Sequence, residues 1–230
     1  MAKSDRVLLI TGASSGIGAA TARNAVAAGW RVVLNARSAD PLEALVAELG
    51  AERAVASVGS VSSWDDAQAM VATALETFGQ VDAVFANAGR GGVPGMFSEG
   101  DPEEWRDMIL TNIYGLALTL RASLAALKES KGHLLITSSI AGRRPLKGSV
   151  YGMTKWAASA IGYNVRAELQ GTGVRVTLIE PGMVDTPFFD DPKPQALKAD
   201  DVARSVMFAL SQPEHVMVNE LMVVPSGQSW

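Results

Sequence analysis

The stretch Thr11-Gly12-Ala13-Ser14-Ser15-Gly16-Ile17-Gly18 decides how this chain is read. It follows an apolar run, Val7 to Ile10, and precedes an alanine-rich segment reaching Gly29. The run reads as a strand, the segment as a helix, and Gly29 as its C-terminal cap. Glycine serves where backbone turns tightly or approaches a ligand too closely for a Cβ. The free N–H groups and positive dipole end of the following helix suit a phosphate. Glycines at this density, taken alone, mean only a tight turn. Set between a first strand and a helix, they fit a dinucleotide pyrophosphate. The candidate contacts are Gly12, Ser14, Ser15, Gly16, Ile17 and Gly18.

Outward from this turn, apolar runs and helical patterns alternate. Strands are expected at Arg31–Asn35, Ala54–Val58, Val81–Ala86, His133–Thr137, Val174–Ile179 and Leu221–Val224. Helices are expected from Pro41 to a stop at Gly50, from Ser62 or Ser63 to Phe78, and from Asp101 to about Glu129. Two more span Ser149–Gln170 and Ala199–Ser211. Asp101-Pro102-Glu103-Glu104 is a strong helix start: a capping side chain, a proline in the first turn, then acids at the positive dipole end. The strands are continuous Val/Leu/Ile runs, as expected when helices cover both faces of a parallel sheet. The expected fold is α/β: a single doubly wound Rossmann domain over residues 1–230, with a predominantly parallel seven-stranded sheet. Ligands of such sheets sit beyond the carboxyl ends of the strands, where strand order reverses.

Composition narrows the partners. The 230 residues carry a formal net charge of −4 and no cysteine. An acidic chain is a poor nucleic-acid partner. Disulfides and thiolate metal ligation are excluded. No apolar run approaches the roughly 18 residues that cross a bilayer, and Met1 to Asp5 leaves no room for a signal peptide. A cytoplasmic protein without membrane partners is expected.

Cofactor type is read after the second strand. An acid there would bind a ribose 2′-OH and repel a 2′-phosphate. This chain has Asn35-Ala36-Arg37-Ser38 instead. Arg37 can fork onto a phosphate, so NADP(H) is preferred, with NAD(H) possible; a solvated surface arginine is the competing reading. After the fifth strand come Ser138, Ser139 and then Tyr151 and Lys155, four apart on one helical face. A tyrosine with a pKa of about 10 is a poor base at neutral pH. A nearby ammonium, together with the charge of an oxidised nicotinamide, would favour its phenolate. Either serine could hold a substrate oxygen beside Tyr151.

With these segments in hand, the chain resembles the short-chain dehydrogenase/reductase superfamily, in its compact single-domain form. Thr11 to Gly18 matches that family's TGxxxGxG turn. Ala86-Asn87-Ala88-Gly89 resembles its NNAG segment, and Asn112 its mid-helix asparagine. Tyr151-Gly152-Met153-Thr154-Lys155 matches YxxxK, and Pro181-Gly182-Met183-Val184-Asp185-Thr186 resembles its PG segment. The resemblance implies hydride transfer between a nicotinamide and a small ketone, aldehyde or secondary alcohol. It makes Tyr151 the acid/base, Lys155 its electrostatic partner, and Asn112 part of a water-linked proton relay. Asn87, Ala88, Gly89, Pro181, Gly182, Val184 and Thr186 would hold the dinucleotide. No metal is implied, and a homodimer or homotetramer is. Three departures stand out. Ala86 replaces the first asparagine. Ser60-Val61 replaces an Asp-Val pair, leaving Val61 as the adenine-side contact. The family's spacing points to Ser138, but its Ser-x-Ala-Gly context selects Ser139; Ser139 is preferred.

Other features invite weaker readings. His133 and His215 are isolated, so structural or surface roles fit them better than metal binding. Trp156 is expected to be buried or at a subunit interface. Arg143, Arg144 and Lys147 could grip an acidic substrate, though a solvated loop is the plainer reading. Phe188 and Phe189, after the PG segment, suggest an apolar wall, with Gly91 to Met96 facing it. A dinucleotide sensor without chemistry is the rival function, although it has no use for a perturbed tyrosine. A cofactor-free lyase on this scaffold, such as a halohydrin dehalogenase, would lack the glycine turn and the lysine.

Overall fold

The computed structural model describes residues 5–91, 95–189 and 191–228. In chain order the elements are β1 (Val7–Thr11), α1 (Gly16–Ala27), β2 (Arg31–Ala36), α2 (Ala39–Leu49), β3 (Ala54–Val58), α3 (Trp64–Phe78), β4 (Ala83–Ala86), α4 (Pro102–Ile109) and α5 (Gly115–Ser130). They continue as β5 (His133–Thr137), α6 (Val150–Glu168), β6 (Arg175–Pro181), β7 (Val184–Asp185), β8 (Leu197–Lys198), α7 (Ala199–Ser211) and β9 (Glu220–Val223). Seven strands form one parallel sheet in the order β3-β2-β1-β4-β5-β6-β9.

Both faces of this sheet are covered, which is why its strands are apolar without alternation. Leu8 and Ile10 of β1 pack with Ala22 of α1, Leu42 of α2 and Val206 of α7. Val7 and Leu9 point the other way, toward Met70 of α3, Leu116 of α5 and Val165 of α6. Fully burying one such side chain contributes about 1.5–3 kcal/mol. Strand order reverses between β1 and β4, so the loops leaving these two strands diverge and open a cleft at their carboxyl ends.

Several boundaries differ from expectation. The strand expected from Val81 begins at Ala83, because the Asp82 carboxylate accepts Val7 N–H at 2.7 Å in place of a ladder carbonyl. α2 starts two residues before Pro41. Its proline costs little there, since the first turn's N–H groups have no intrahelical partner. Of the two serines before α3, Ser63 is the cap: Asp66 N–H donates to its Oγ at 3.3 Å. The last strand spans Glu220–Val223.

The long helix expected from Asp101 is broken by a π turn, Leu110–Tyr114, between α4 and α5. By length and composition the helical stretch Pro102–Ser130 is apolar enough to cross a bilayer, against the sequence expectation. Leu116, Leu120 and Leu127 of that stretch are packed into the core. A second, two-stranded parallel sheet pairs β7 with β8 and closes the base of the segment between them.

Candidate active site

The glycine turn is built by close backbone contacts. Gly12 has φ +66°, and a Cβ there would lie 2.9 Å from Ala88 Cα. A Cβ on Gly18 would lie 2.2 Å from the Gly12 carbonyl oxygen. Gly18 does not line the cleft; its smallness lets α1 sit directly on the turn. Gly16, at φ +52°, faces the Thr186 side chain, with a notional Cβ 3.2 Å from it. The turn after β1 and the segment after β6 therefore meet across the cleft.

Asn87 fastens the ends of three strands. Its N–H donates to Thr11 Oγ1 at 3.0 Å and its Nδ2 to Thr11 O at 3.1 Å. Its Oδ1 accepts the Thr137 hydroxyl at 3.0 Å. Thr137 O in turn accepts Lys155 Nζ at 2.9 Å. One hydrogen-bonded chain thus runs from the lysine on α6 to the threonine that opens the glycine turn. Asn87 does this with Ala86 beside it.

These elements enclose a cavity of about 400 Å³, in the range of small-molecule sites. It is lined by Gly12, Ser14, Ser15, Gly16, Ile17, Arg37, Val61, Asn87, Ala88, Gly89, Ser139, Tyr151, Lys155, Pro181, Gly182, Val184 and Thr186. Of the expected site residues, Gly18 and Asn112 stand outside this wall. Arg37 is exposed at the rim and makes no hydrogen bond or ion pair among the described residues. The wall also contains residues that the sequence did not single out, notably Arg90, Thr111 and Thr137. Their signal was weak: each lies within two residues of a recognised motif but has no motif of its own.

Asn112 sits in the π turn, 4% exposed. Its Oδ1 accepts Arg90 N–H at 2.8 Å, and its Nδ2 donates to Arg90 O at 2.9 Å and Thr154 Oγ1 at 3.0 Å. The amide is thus occupied in holding the loop after β4 against α6. With Lys155, Thr11 and Thr137, Asn112 also lines a small cavity of about 10 Å³, about the size of one water.

Both serines line the cleft, and their hydrogen bonds differ. Ser138 Oγ donates to Lys155 O at 3.1 Å and lies 2.7 Å from Ser159 Oγ, facing α6. Ser139 Oγ accepts Ala141 N–H and donates to Pro181 O at 3.3 Å, and it lines the cleft together with Tyr151. The mutational expectation follows directly. Ser139→Ala should lower kcat by about 100-fold, the usual scale for one lost donor at a developing charge. Ser138→Ala should cost about 1 kcal/mol of stability and leave kcat within a few-fold. The reverse pattern in steady-state kinetics would reassign the role to Ser138.

Burial dominates the electrostatics. It pushes the Tyr151 hydroxyl up to about 12, against the opposing pull of the Ser139 hydrogen bond. It pulls the Lys155 ammonium down to about 8. Lys155 Nζ stands 5.7 Å from the Tyr151 ring centroid. Desolvation of the phenolate sets the direction of the Tyr151 shift in the protein alone; the sequence expectation joins Lys155 to the charge of an oxidised nicotinamide.

Arg143 is no solvated loop residue. Its Nε donates to Glu180 at 2.7 Å, and its guanidinium also pairs with Glu220. Glu180 is fully buried at the end of β6, and its pKa is raised by burial against the opposing pull of Arg143. The pair ties the turn after Ser139 to β6 and β9. His133 is 1% exposed, with Nε2 at 2.7 Å from Thr177 Oγ1, a structural contact between strands. Trp156 is about half exposed. Of the segment Gly91 to Met96, residues 92–94 lie outside the described residues. Among the described residues no cluster of His, Cys, Asp and Glu could hold a metal.

The chain is similar to known proteins over nearly its whole length. Residues 6–196 match the short chain dehydrogenase family model. An uncharacterized oxidoreductase of Staphylococcus epidermidis is 38% identical over 228 residues, covering 96% of this chain and 97% of its own. Sulfoacetaldehyde reductase 2 of Chromohalobacter salexigens is 37% identical over 243 residues, covering 97% and 96%. The alcohol dehydrogenase of the archaeon Thermococcus sibiricus, solved with 5-hydroxy-NADP, superposes with a TM-score of 0.91 at 36% identity, covering 98% and 99%. The chain belongs to the short-chain dehydrogenase/reductase superfamily and is a dehydrogenase/reductase acting on CH–OH/C=O groups.

Proposed function

We propose that the protein reduces a small ketone or aldehyde, or oxidises the matching secondary alcohol, with NADP(H) and with Tyr151 as the acid/base. The observation that carries this reading is the convergence of Tyr151, Ser139 and Lys155 on the same cavity that holds the glycine turn and Arg37. The cavity walls suit a dinucleotide. Gly12 and Gly16 leave that part of the wall without side chains, which lets a pyrophosphate approach the backbone, and the exposed Arg37 guanidinium, without a partner among the described residues, would read a 2′-phosphate. Ser14, Ser15 and Ile17 would hold the phosphates, Val61 the adenine side, Ala88, Gly89 and Lys155 the ribose, and Pro181, Gly182, Val184 and Thr186 the amide end. When bound, the cofactor supplies or accepts the hydride.

The chain's own groups handle the oxygen. Ser139 and Tyr151 hold the carbonyl oxygen between two hydroxyls. In reduction Tyr151 gives it a proton. In oxidation Tyr151 takes that proton back. The Lys155 ammonium stabilises the phenolate, and the small cavity shared with Asn112 can hold a water that returns a proton to the site. The same reading takes residues 1–230 as one dinucleotide-binding domain of a cytoplasmic homodimer or homotetramer. The exposed Tyr114, Met153 and Trp156 support a self-association face.

The test is oxidation of NADPH and NADH by the purified chain against a panel of small carbonyls. NADPH turnover is expected. Arg37→Ala should raise the KM for NADPH by about 10–100-fold, the worth of one or two charged hydrogen bonds, and leave that for NADH unchanged. NADH as the clearly better donor of the wild type would sink the role of Arg37. Tight NADPH binding with no turnover of any carbonyl would favour a dinucleotide sensor.

A further inference from the structure

Phe188 lies against the acid/base rather than in solvent. Its ring meets Tyr151 edge-on, 5.6 Å between centroids and 63° between planes. Its tip is seated on Gly91: a Cβ on that glycine would lie 2.1 Å from Phe188 Cζ and 2.6 Å from Cε1. Phe189 packs behind it, edge-on at 5.2 Å and 76°. The backbone carrying both rings is fastened. Phe189 N–H donates to Thr186 O at 3.1 Å, and Val184 and Asp185 pair with Leu197 and Lys198. Asp185 Oδ1 accepts Lys193 N–H at 3.0 Å, and its Oδ2 accepts Lys198 Nζ at 2.7 Å.

A carbonyl whose oxygen is held by Tyr151 and Ser139 must place two substituents beside them, and the ring of Phe188 borders that space. We infer that Phe188, seated on Gly91, is the specificity-determining residue that limits the size of the substrate's substituents. This rests on Tyr151 and Ser139 being the carbonyl end of the site. Small alkyl groups fit beside the ring, whereas an aryl group must displace it. Gly91 is part of the device, because any side chain there unseats the ring. Small aliphatic carbonyls are the substrate class that follows.

The test compares kcat/KM for 2-butanone and acetophenone at saturating NADPH, using the full chain. Wild type should favour 2-butanone. Phe188→Ala should move the ratio toward acetophenone by about 10-fold or more, the discrimination that one or two methylene-sized changes give in an apolar pocket. Gly91→Ala should move it the same way, and should add less than about 3-fold in the Phe188→Ala background, since coupled residues are not additive. An unchanged ratio in Phe188→Ala overturns the inference. So does a Gly91→Ala shift that persists in full in the double variant. No wild-type turnover of any carbonyl would overturn the reading of Tyr151 and Ser139, and the size limit with it. Turnover with an unchanged ratio overturns the size limit alone.

Discussion

Tyr151→Phe should lower kcat for carbonyl reduction by about 10²–10⁴-fold, the range for a lost general acid, with the Kd for NADPH changed by no more than a few-fold. The substitution keeps the ring and its edge-on contact with Phe188, so folding is not at stake. Only the hydroxyl is lost. With that hydroxyl near 12, Tyr151 is a phenol at neutral pH, which is the form that donates. The oxygen it leaves behind needs a positive neighbour. Lys155, near 8 in the free protein, carries its charge below that pH and loses it above. The kcat/KM for reduction, which reports the free enzyme, should therefore be full below about pH 8 and fall as pH rises through it. Turnover of Tyr151→Phe within about 3-fold of wild type would remove Tyr151 from the chemistry. A kcat/KM that rises through pH 8 would reverse the role given to Lys155.

How far the sequence could be read depended on the range of the interaction. The βα order was legible because each strand needs only local apolar composition once both sheet faces are covered. The glycine turn was legible from its pattern within eight residues, although the neighbours that crowd a Cβ at Gly12 and Gly16, Ala88 and Thr186, are remote in sequence. The π turn at Leu110–Tyr114 was not, since one extra residue in a helical turn leaves no mark on composition. β7 and β8, two residues each, are too short for any period. Arg143 read as a loop cation because its partners, Glu180 and Glu220, lie 37 and 77 residues away. The serine choice needed coordinates for a related reason. Motif context and spacing disagreed, and the contacts that distinguish the pair, Ser138 with Lys155 O and Ser159 and Ser139 with Pro181 O, are made across the fold. Phe188 was legible as apolar, but not its seat on Gly91.

The second large effect is expected at a glycine that touches no ligand. Gly18→Ala adds one methyl, yet that carbon would sit 2.2 Å from Gly12 O and 2.9 Å from Gly12 C. Both neighbours are backbone, so no side chain can rotate away. Gly12 is also held in place, because Asn87 bonds the adjoining Thr11 through its N–H and Nδ2 and its Nδ2 reaches Gly12 O at 3.4 Å. The start of α1 must therefore lift off the turn. Overpacking of this kind costs about 1–3 kcal/mol, which lowers Tm by about 2–4 °C per kcal/mol in a chain of this size. The N–H groups at the head of α1 move with the helix, so NADPH affinity should fall by about 10–100-fold. Gly227→Ala is the matched control: nothing lies within 4 Å of its added carbon, and its φ is not in the left-handed region. Thermal unfolding and fluorescence titration of NADPH read the two losses separately. If Gly18→Ala binds NADPH within about 3-fold of the Gly227→Ala control, close packing of α1 on the Gly12 carbonyl is not what shapes the cradle.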